Sequence, residues 1–349
     1  MGHPKIDNNT PFAFEMLFLA DEEGRPLFVP LVKATYSIPD KGQLVMADKP
    51  MPVNPAGEYW GDPNASSYKY EPETAFVKLV TDVVLIGHAH APRAGTKETL
   101  VSLQVGPLKK TVKVVGDRVW GKVLGKTMMT SPVPFEKIPL IYERAFGGWD
   151  RSHSHPEKHT FEPRNPVGTG FRSKKGNFEE GIRLPNLEDP KHPLKSYGDT
   201  PPPAGFGFTS PNWQPRAALA GTYDEQWMKE RMPLLPTDFD RRFFNAASPG
   251  LIAQGYLKGN EPVLIENASP GGRLTFQLPG VAPPKIHVEL RGGVHHDLTT
   301  NLDTVIINTD ENLLFLIWRT HLVVRRGPQD VVAIQVSAEG VPAAAALVS

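Results

Sequence analysis

Proline is the feature of this sequence that most limits what the chain can fold into. The chain has 36 prolines and 31 glycines among 349 residues, and its proline share is about twice the usual level of roughly 5%. Proline fixes φ and has no amide hydrogen to donate, so it interrupts helices and central strands and favours turns. The composition therefore predicts short strands that are joined by many turns and by some long ordered loops.

Both ends of the chain show the period-two alternation that is typical of strands. Phe12, Phe14, Met16 and Phe18 alternate with other residues, a turn follows at 21–24, and the alternation resumes as far as Ile38. This pattern predicts a hairpin. Further strands are predicted at 82–91, 98–105, 108–115, 285–291, 302–309 and 313–325.

The middle of the chain, from about 131 to 260, offers few strand signals. Fourteen prolines fall between Ser131 and Ala220. One helix is predicted here, with a capping box at 222–225, helical turns at 227–231 and a stop at Pro233.

The sequence thus divides into an amino-terminal β region (1–130), a loop-rich motif region (131–260) and a carboxy-terminal β region (261–349), which we expect to form one compact unit. The predicted fold is all-β: two packed β-sheet regions, sandwich-like, with a long Pro/Gly-rich loop region and one short helix.

Charge and cysteine content exclude several classes of function. Basic and acidic residues both number 38, and the basic clusters are pairs such as Lys174-Lys175 and Arg325-Arg326, so nucleic acid is not an expected partner. The chain has no cysteine, which excludes disulfides, thiolate catalysis and Cys-ligated zinc. No segment reads as a signal peptide or reaches the length of a membrane span, so we expect a cytoplasmic protein and no membrane partner.

Cofactor and metal signals are incomplete. Residues 116–123 nearly fit a phosphate-binding loop, but Val123 stands where that loop needs a hydroxyl and no helix follows. His88 and His90 share a face of a predicted strand without an evident third ligand. The densest set of possible ligands is His153, His155 and His159 with Glu157, in a polar loop. We predict no cofactor and no metal, and the sequence leaves open whether this histidine loop binds one.

Charged motifs in the middle region have two interpretations. The acidic pair Asp238 and Asp240 could hold a divalent cation, but arginines follow immediately and favour an internal ion-pair network that fixes the loops. We extend the structural interpretation to the neighbouring motifs. The predicted structural network is Glu143, Arg144, Arg164, Asn165, Asp238, Asp240, Arg241 and Arg242.

Aromatic residues are frequent in the same loops. Such residues either pin a loop to the sheet or anchor a partner protein. Most are expected to be pins, and four are predicted as partner-binding anchors: Trp149, Phe206, Phe208 and Trp213.

The loop motifs together resemble one bacterial family. They are Tyr142-Glu-Arg-Ala-Phe-Gly-Gly148, Arg164-Asn-Pro-Val-Gly-Thr-Gly-Phe171, Leu184-Pro-Asn-Leu187, Pro203-Ala-Gly-Phe-Gly-Phe208 and Leu235-Pro-Thr-Asp-Phe-Asp-Arg-Arg-Phe-Phe-Asn245. The family, formerly of unassigned function, is found in type VI secretion gene clusters beside spike proteins and toxic effectors. The resemblance runs from about Pro11 to about Leu278. It implies an adaptor-chaperone that loads an effector onto a VgrG-like spike protein, and it carries over no catalytic residues.

Two functions therefore remain. The first is an adaptor or chaperone without enzymatic activity, which agrees with the absence of a complete catalytic motif. The alternative is a β-rich carbohydrate-active enzyme or sugar-binding module, which would stack its aromatics on sugars. An adaptor should present a broad surface, whereas a glycosidase needs a cleft with two carboxyls on opposite walls.

Overall fold

The structure, a computed structural model, describes residues 3–39, 43–173 and 178–341; the Lys174-Lys175 pair lies outside these ranges. Within them, strands dominate, and the single α-helix is α1 (Glu225–Glu230). The all-β prediction is confirmed. Short 3-10 helices span Tyr142–Arg144, Pro156–Lys158, Arg216–Ala220, Arg241–Phe244 and Gly327–Asp330.

The strands are β1 (Lys5–Asn8), β2 (Ala13–Ala20), β3 (Pro26–Ser37), β4 (Val45–Met46), β5 (Glu58–Tyr59), β6 (Tyr68–Tyr70), β7 (Asp82–Ile86), β8 (His88–His90), β9 (Glu98–Val105), β10 (Leu108–Val115), β11 (Trp120–Val123), β12 (Lys126–Met129), β13 (Lys137–Pro139), β14 (Phe146–Gly147), β15 (Trp149–Asp150), β16 (Thr160–Phe161), β17 (Thr169–Gly170), β18 (Leu187–Glu188), β19 (Pro262–Glu266), β20 (Arg273–Gln277), β21 (Lys285–Leu290), β22 (Val294–Thr299), β23 (Asn301–Asn308), β24 (Leu313–Arg319), β25 (Leu322–Val323) and β26 (Val331–Ser337).

The largest sheet is the centre of the fold. Its strand order is β2-β3-β24-β23-β7, and β4 and β25 also pair with β3. The β23–β7 pair is parallel and its other pairs are antiparallel. Strands β3, β24, β23 and β7 are buried along nearly their whole length, so both faces of this sheet are covered.

The two faces of the central sheet differ in polarity. Strand register places aliphatic and aromatic side chains on one face of its inner strands, including Val32, Leu316, Trp318, Val305 and Leu85. The opposite face carries the buried polar residues Lys33, Thr35, Asp82, Thr304, Asn308 and Arg319. A polar face this deep must be satisfied by partners within the fold.

Two further sheets have one buried face each. One has the order β18-β10-β9-β19-β20 and the other β1-β26-β21-β22, and their outer strands β20 and β22 alternate between partly buried and exposed residues. Five two-stranded ladders, including β14–β17 and β15–β16, complete the sheet structure of the described residues.

The ends of the chain share sheets, which differs from the expected packing of an amino-terminal sheet against a carboxy-terminal one. Strands β24 and β23 lie between β3 and β7, and β19 pairs with β9. One contiguous cluster of buried apolar residues includes Phe28 from the first predicted region, Phe206 from the second and Trp318 from the third.

The predicted helix exists, but its cap is a different residue. Helix α1 begins after Asp224, whose carboxylate accepts a hydrogen bond from the Trp227 amide at 2.8 Å. Thr222, the predicted cap, instead donates its amide and hydroxyl to Asp238. No helix in the described part of the chain is long and apolar enough to cross a membrane.

Candidate functional site: an aromatic groove

Three of the four predicted anchors are core residues. Phe206, Phe208 and Trp213 are at most 3% exposed, and Trp213 packs edge-on against Tyr142 with ring centroids 5.3 Å apart. The prediction that these three bind a partner is therefore wrong for this fold, because a partner cannot reach them. They pin the middle region to the core. Trp149 is 44% exposed and remains a candidate anchor.

A rigid support lies directly beneath Trp149. The amide nitrogen of the buried Asn165 side chain donates to the carbonyls of Tyr142 at 2.8 Å and Phe146 at 3.0 Å. Gly148 adopts φ +90°, and a Cβ there would lie 2.3 Å from the Gly168 carbonyl oxygen. Only glycine fits this backbone. Two of the sequence motifs thus lock together through their backbones.

The exposed tip of this support is an aromatic pair. Strands β15 and β16 are antiparallel and place Trp149 directly opposite Phe161. The two rings stack with centroids 4.6 Å apart at an interplanar angle of 29°, and Phe161 is 42% exposed. The pair holds two large apolar surfaces in a fixed orientation at the protein surface.

Two arginines flank the aromatic pair. The guanidinium of Arg151 lies 5.3 Å from the centre of the Trp149 ring, within cation–π distance. Arg172 donates to the Trp149 carbonyl at 3.2 Å and pairs with Glu179 at 3.3 Å. One arginine therefore extends the aromatic surface, and the other holds the backbone of Trp149 in place.

Asp150 anchors this segment from the buried side. Its carboxylate accepts hydrogen bonds from the Ser152 amide and hydroxyl and from the Ser173 amide. Burial acts to raise the pKa of Asp150, but these hydrogen bonds outweigh it and hold the pKa below its usual value. The anchor is therefore an anion at neutral pH.

We call the resulting concave surface the Trp149 groove. It encloses about 730 Å³, and one carboxylate, Glu179, is among its described lining residues. The lining is Asn64, Ala65, Gly148, Trp149, Arg151, Ser152, Phe161, Pro166, Val167, Gly168, Arg172, Glu179 and Asn212. Sequence reasoning did not predict Phe161, Arg151 or Arg172 as part of a site with Trp149.

The residues of the predicted structural network do form hydrogen bonds and ion pairs, but several of their partners lie outside the predicted set. Glu143 accepts hydrogen bonds from the amide and hydroxyl of Ser67. Arg144 is partly exposed and contacts Asp117 at 3.3 Å and Asn186 at 3.1 Å. Arg164 forms a two-pronged pair with Glu162 at 2.6 and 2.8 Å.

The second half of that network lies at the surface and not beneath the loops. Asp240 pairs with Arg242, whose side chain is 69% exposed. Arg241 pairs with Glu22 of the β2–β3 turn, not with its acidic neighbours. Asp238 binds Thr222. The side chains do tie segments together, but the expectation that they form one buried network is wrong.

The buried charge cluster is elsewhere, on the polar face of the central sheet. Lys78 Nζ lies 2.8 Å from Asp82 and 3.8 Å from Glu71, and Glu71 pairs with Arg216 at 2.5 Å. Burial opposes the charge on Lys78, but Asp82 and Glu71 outweigh it, so the pKa of Lys78 lies above its usual value. The side chains of this cluster are at most 10% exposed, which indicates a structural role.

The histidines and the glycine-rich segment that were considered as metal or phosphate sites lie in ordinary strands and loops. His88 and His90 are partly buried on β8, and His88 pairs with Asp310 at 2.7 Å. The His159 ring contacts the His153 carbonyl at 3.0 Å. The described residues contain no group of three or more His, Asp or Glu side chains that could hold a metal. The segment that resembles a phosphate-binding loop leads into the β11–β12 hairpin.

Comparison with known proteins adds one match. A model of a family described as uncharacterised proteins conserved in bacteria, DUF2169, matches residues 23–319. No curated protein and no solved structure matches the chain. The matched region contains every residue of the Trp149 groove and most of the described fold. The chain therefore belongs to the bacterial family DUF2169.

Proposed function

We propose that this protein is an adaptor and chaperone that binds a type VI secretion effector and helps to load it onto a VgrG-like spike protein. The motif resemblance supports the identity of the partners. One structural observation supports a binding role: the exposed Trp149–Phe161 stack on a rigid support. The proposal assigns the protein to the cytoplasm and gives it no catalytic activity.

The stack has the chemistry of a binding hot spot. Tryptophan and arginine are enriched among residues that dominate protein–protein affinity, and Trp149 and Arg151 lie together here. Because Asn165, Gly148 and Asp150 already fix the segment, binding loses little conformational freedom. A partner that covers both rings would remove a large apolar area from water.

An adaptor needs a second surface, and the open sheet edges supply one. In the part of the chain that the structure describes, β20 ends one sheet and β22 ends another, so the outer edge of each has no neighbouring strand. An extended segment of a partner can add to such an edge through main-chain hydrogen bonds. The proposal assigns the groove to the effector and an open edge to the spike protein.

The proposal is tested by co-expression with the products of neighbouring genes. We expect the wild-type protein to co-purify with an effector, and the double substitution Trp149→Ala, Phe161→Ala to weaken that complex at least tenfold. The matched control is Tyr223→Ala, which removes another exposed aromatic ring. That ring packs edge-on against Trp227, with ring centroids 4.7 Å apart. Thermal melting of each variant establishes that the fold is retained.

Two results would count against the adaptor. One is that no neighbouring product is bound by the wild-type protein. The other is that the double variant binds as tightly as the Tyr223→Ala control, which would remove the groove from the interface.

A sugar-binding module is the alternative that the exposed stack also favours, because aromatic rings stack on sugar faces. Hydrolysis requires two carboxyls across the cleft, and the described lining of the Trp149 groove has Glu179, which is paired with Arg172. Titration with oligosaccharides separates the two functions. Saturable binding that requires Trp149, without any bound protein partner, would favour the sugar-binding module.

A further inference from the structure

A second cavity, lined in part by Tyr142, shares no described lining residue with the Trp149 groove. It encloses about 520 Å³, which is within the range of small-molecule sites. Much of its wall is proline, from Pro190, Pro202, Pro203, Pro215 and Pro249, and Lys110 of β10 also lines it. We call it the Lys110 cavity.

The ammonium group of Lys110 has an unusual environment. It donates to the Ser248 hydroxyl at 2.5 Å and to the Pro249 carbonyl at 2.7 Å. No carboxylate of the described residues lies within ion-pair distance of Lys110. The acids of adjoining segments pair with other groups: Glu98 with Lys113, Glu162 with Arg164 and Asp189 with His192. An ammonium has three N–H donors, so these two neutral acceptors leave one donor without a partner among the described residues and supply no counter-charge at contact distance.

The two neutral acceptors are themselves fixed. The Ser248 hydroxyl accepts a hydrogen bond from Tyr142 at 2.9 Å and donates to the Gly205 carbonyl at 2.8 Å. With Lys110 added, its hydrogen-bonding capacity is complete. Ser248 is fully buried, so it orients Lys110 and does not itself face a ligand.

The remaining charges around the cavity also favour an anion. Lys109, Lys191 and Arg164 line it, and Asp189 is the one acid among its described lining residues. Asp189 is already engaged by His192 at 2.9 Å, and Arg164 by Glu162. An apolar wall with an unmatched cation suits a ligand with an apolar body and one negative group.

We propose that the Lys110 cavity binds an amphipathic monocarboxylate, with its carboxylate on Lys110 and its apolar body against the prolines. This site is independent of the adaptor function, since it uses none of the residues of the Trp149 groove. A ligand carboxylate would supply both the missing acceptor and the missing counter-charge of Lys110.

The protonation of Lys110 gives the proposal a pH signature. Burial lowers the pKa of Lys110 to about 7, and Asp189 only partly opposes this effect. Tyr142, whose pKa burial raises to about 12, stays neutral; the other charged groups facing the cavity are Lys109, Lys191, Arg164 and Asp189. Lys110 attracts a carboxylate only in its protonated form. Affinity should therefore be greatest below pH 7 and fall by up to about tenfold per pH unit above it.

The test is calorimetric titration of the full chain with octanoate, and with octan-1-ol as the uncharged analogue. We expect saturable binding of octanoate, binding of octan-1-ol at least tenfold weaker, and at least tenfold loss for octanoate in Lys110→Met. The control is Lys113→Met on the same strand, which removes a lysine that pairs with Glu98 at 2.7 Å outside the cavity. That variant should bind octanoate within about twofold of the wild type.

Three outcomes would overturn the proposal: no saturable octanoate binding at pH 6, equal binding of octan-1-ol, or wild-type affinity in Lys110→Met. If Lys110→Met does not fold, the wild-type pH series decides instead. An affinity that is flat from pH 6 to 9 would also overturn it, because a merely structural Lys110 gives no such dependence.

Discussion

Asp82 forms the buried ion pair that the predicted motif network was expected to supply. It is fully buried on the polar face of the central sheet, and its carboxylate accepts from Lys78 at 2.8 Å, from the Ala246 amide at 2.8 Å and from Asn245 at 3.1 Å. Each of its two carboxylate oxygens therefore has at least one donor. A buried charge satisfied in this way ties the start of β7 to the middle region.

Replacement of Asp82 by asparagine should be strongly destabilising. The asparagine NH2 group would face a donor at one of the two positions where an Asp82 oxygen now accepts a hydrogen bond. Lys78 would also lose its nearest carboxylate and keep Glu71, at 3.8 Å, as its nearest one. We expect a loss of about 3–5 kcal/mol in the free energy of unfolding, measured by denaturant titration. The control, Asp240→Asn, alters the exposed pair with Arg242 and should change stability by less than about 1 kcal/mol. Equal effects would contradict the assignment of the stabilising charges to the buried cluster.

At the residue scale, burial was the property that sequence could not supply. Phe206, Phe208 and Trp213 lie in Pro/Gly-rich segments just as Trp149 does, and local composition does not separate them. Their burial depends on contacts with distant residues, such as the Leu85 amide that donates to the Phe206 carbonyl at 3.2 Å. Lys78 and Asp82 were missed for the same reason, because each also has a partner far away in sequence: Lys78 donates to Thr304, and Asp82 accepts from Asn245.

At the element scale, hairpins were the predictable part of the fold. The bounds predicted for β9 and β10 agree with the structure, because their alternation and the Gly106-Pro107 turn are local signals. The ladders β14–β17 and β15–β16 have two residues per strand, which is too short for any period to be visible. The support of the candidate site is built from these ladders, so its geometry could not be predicted from pattern alone.

The helix cap gives an element-scale prediction. Asp224→Ala removes the acceptor of the Trp227 amide, so we expect the free energy that stabilises helix α1 to fall by about 0.5–2 kcal/mol. Faster hydrogen exchange at the amides of Trp227 and Met228 would report it. Thr222→Ala removes the hydroxyl contact with Asp238 and should leave exchange within α1 unchanged. Faster exchange in α1 of the Thr222→Ala variant would instead show that Thr222 caps the helix.

At the scale of the whole molecule, the interleaving of strands makes the fold one cooperative unit. Strands β24 and β23 complete the central sheet, because they lie between β3 and β7 and connect them. Neither the amino-terminal nor the carboxy-terminal strands can bury both faces of this sheet alone. We therefore expect unfolding in a single transition, since loss of either set exposes the same core.

A split of the chain tests this cooperativity. The β21–β22 turn has exposed glycines at 292 and 293, and a break there gives fragments 1–292 and 293–349. We expect fragment 1–292 alone to show no cooperative thermal transition, because it lacks β23 and β24. Co-expression of both fragments should restore a transition. A cooperative melt of fragment 1–292 by itself would show that the first strands form an independent core.

The position of β24 beside β3 also sets an order of events on the ribosome. Strand β3 is complete at Ser37, but its neighbour β24 starts only at Leu313. At about 5–20 residues per second, roughly 15 to 55 s of translation separate the two. During that interval one edge of an apolar strand has no neighbour, so the nascent chain itself requires protection from aggregation. A chain released before Leu313 lacks the strand that covers this edge of β3, and we expect it to aggregate through that edge.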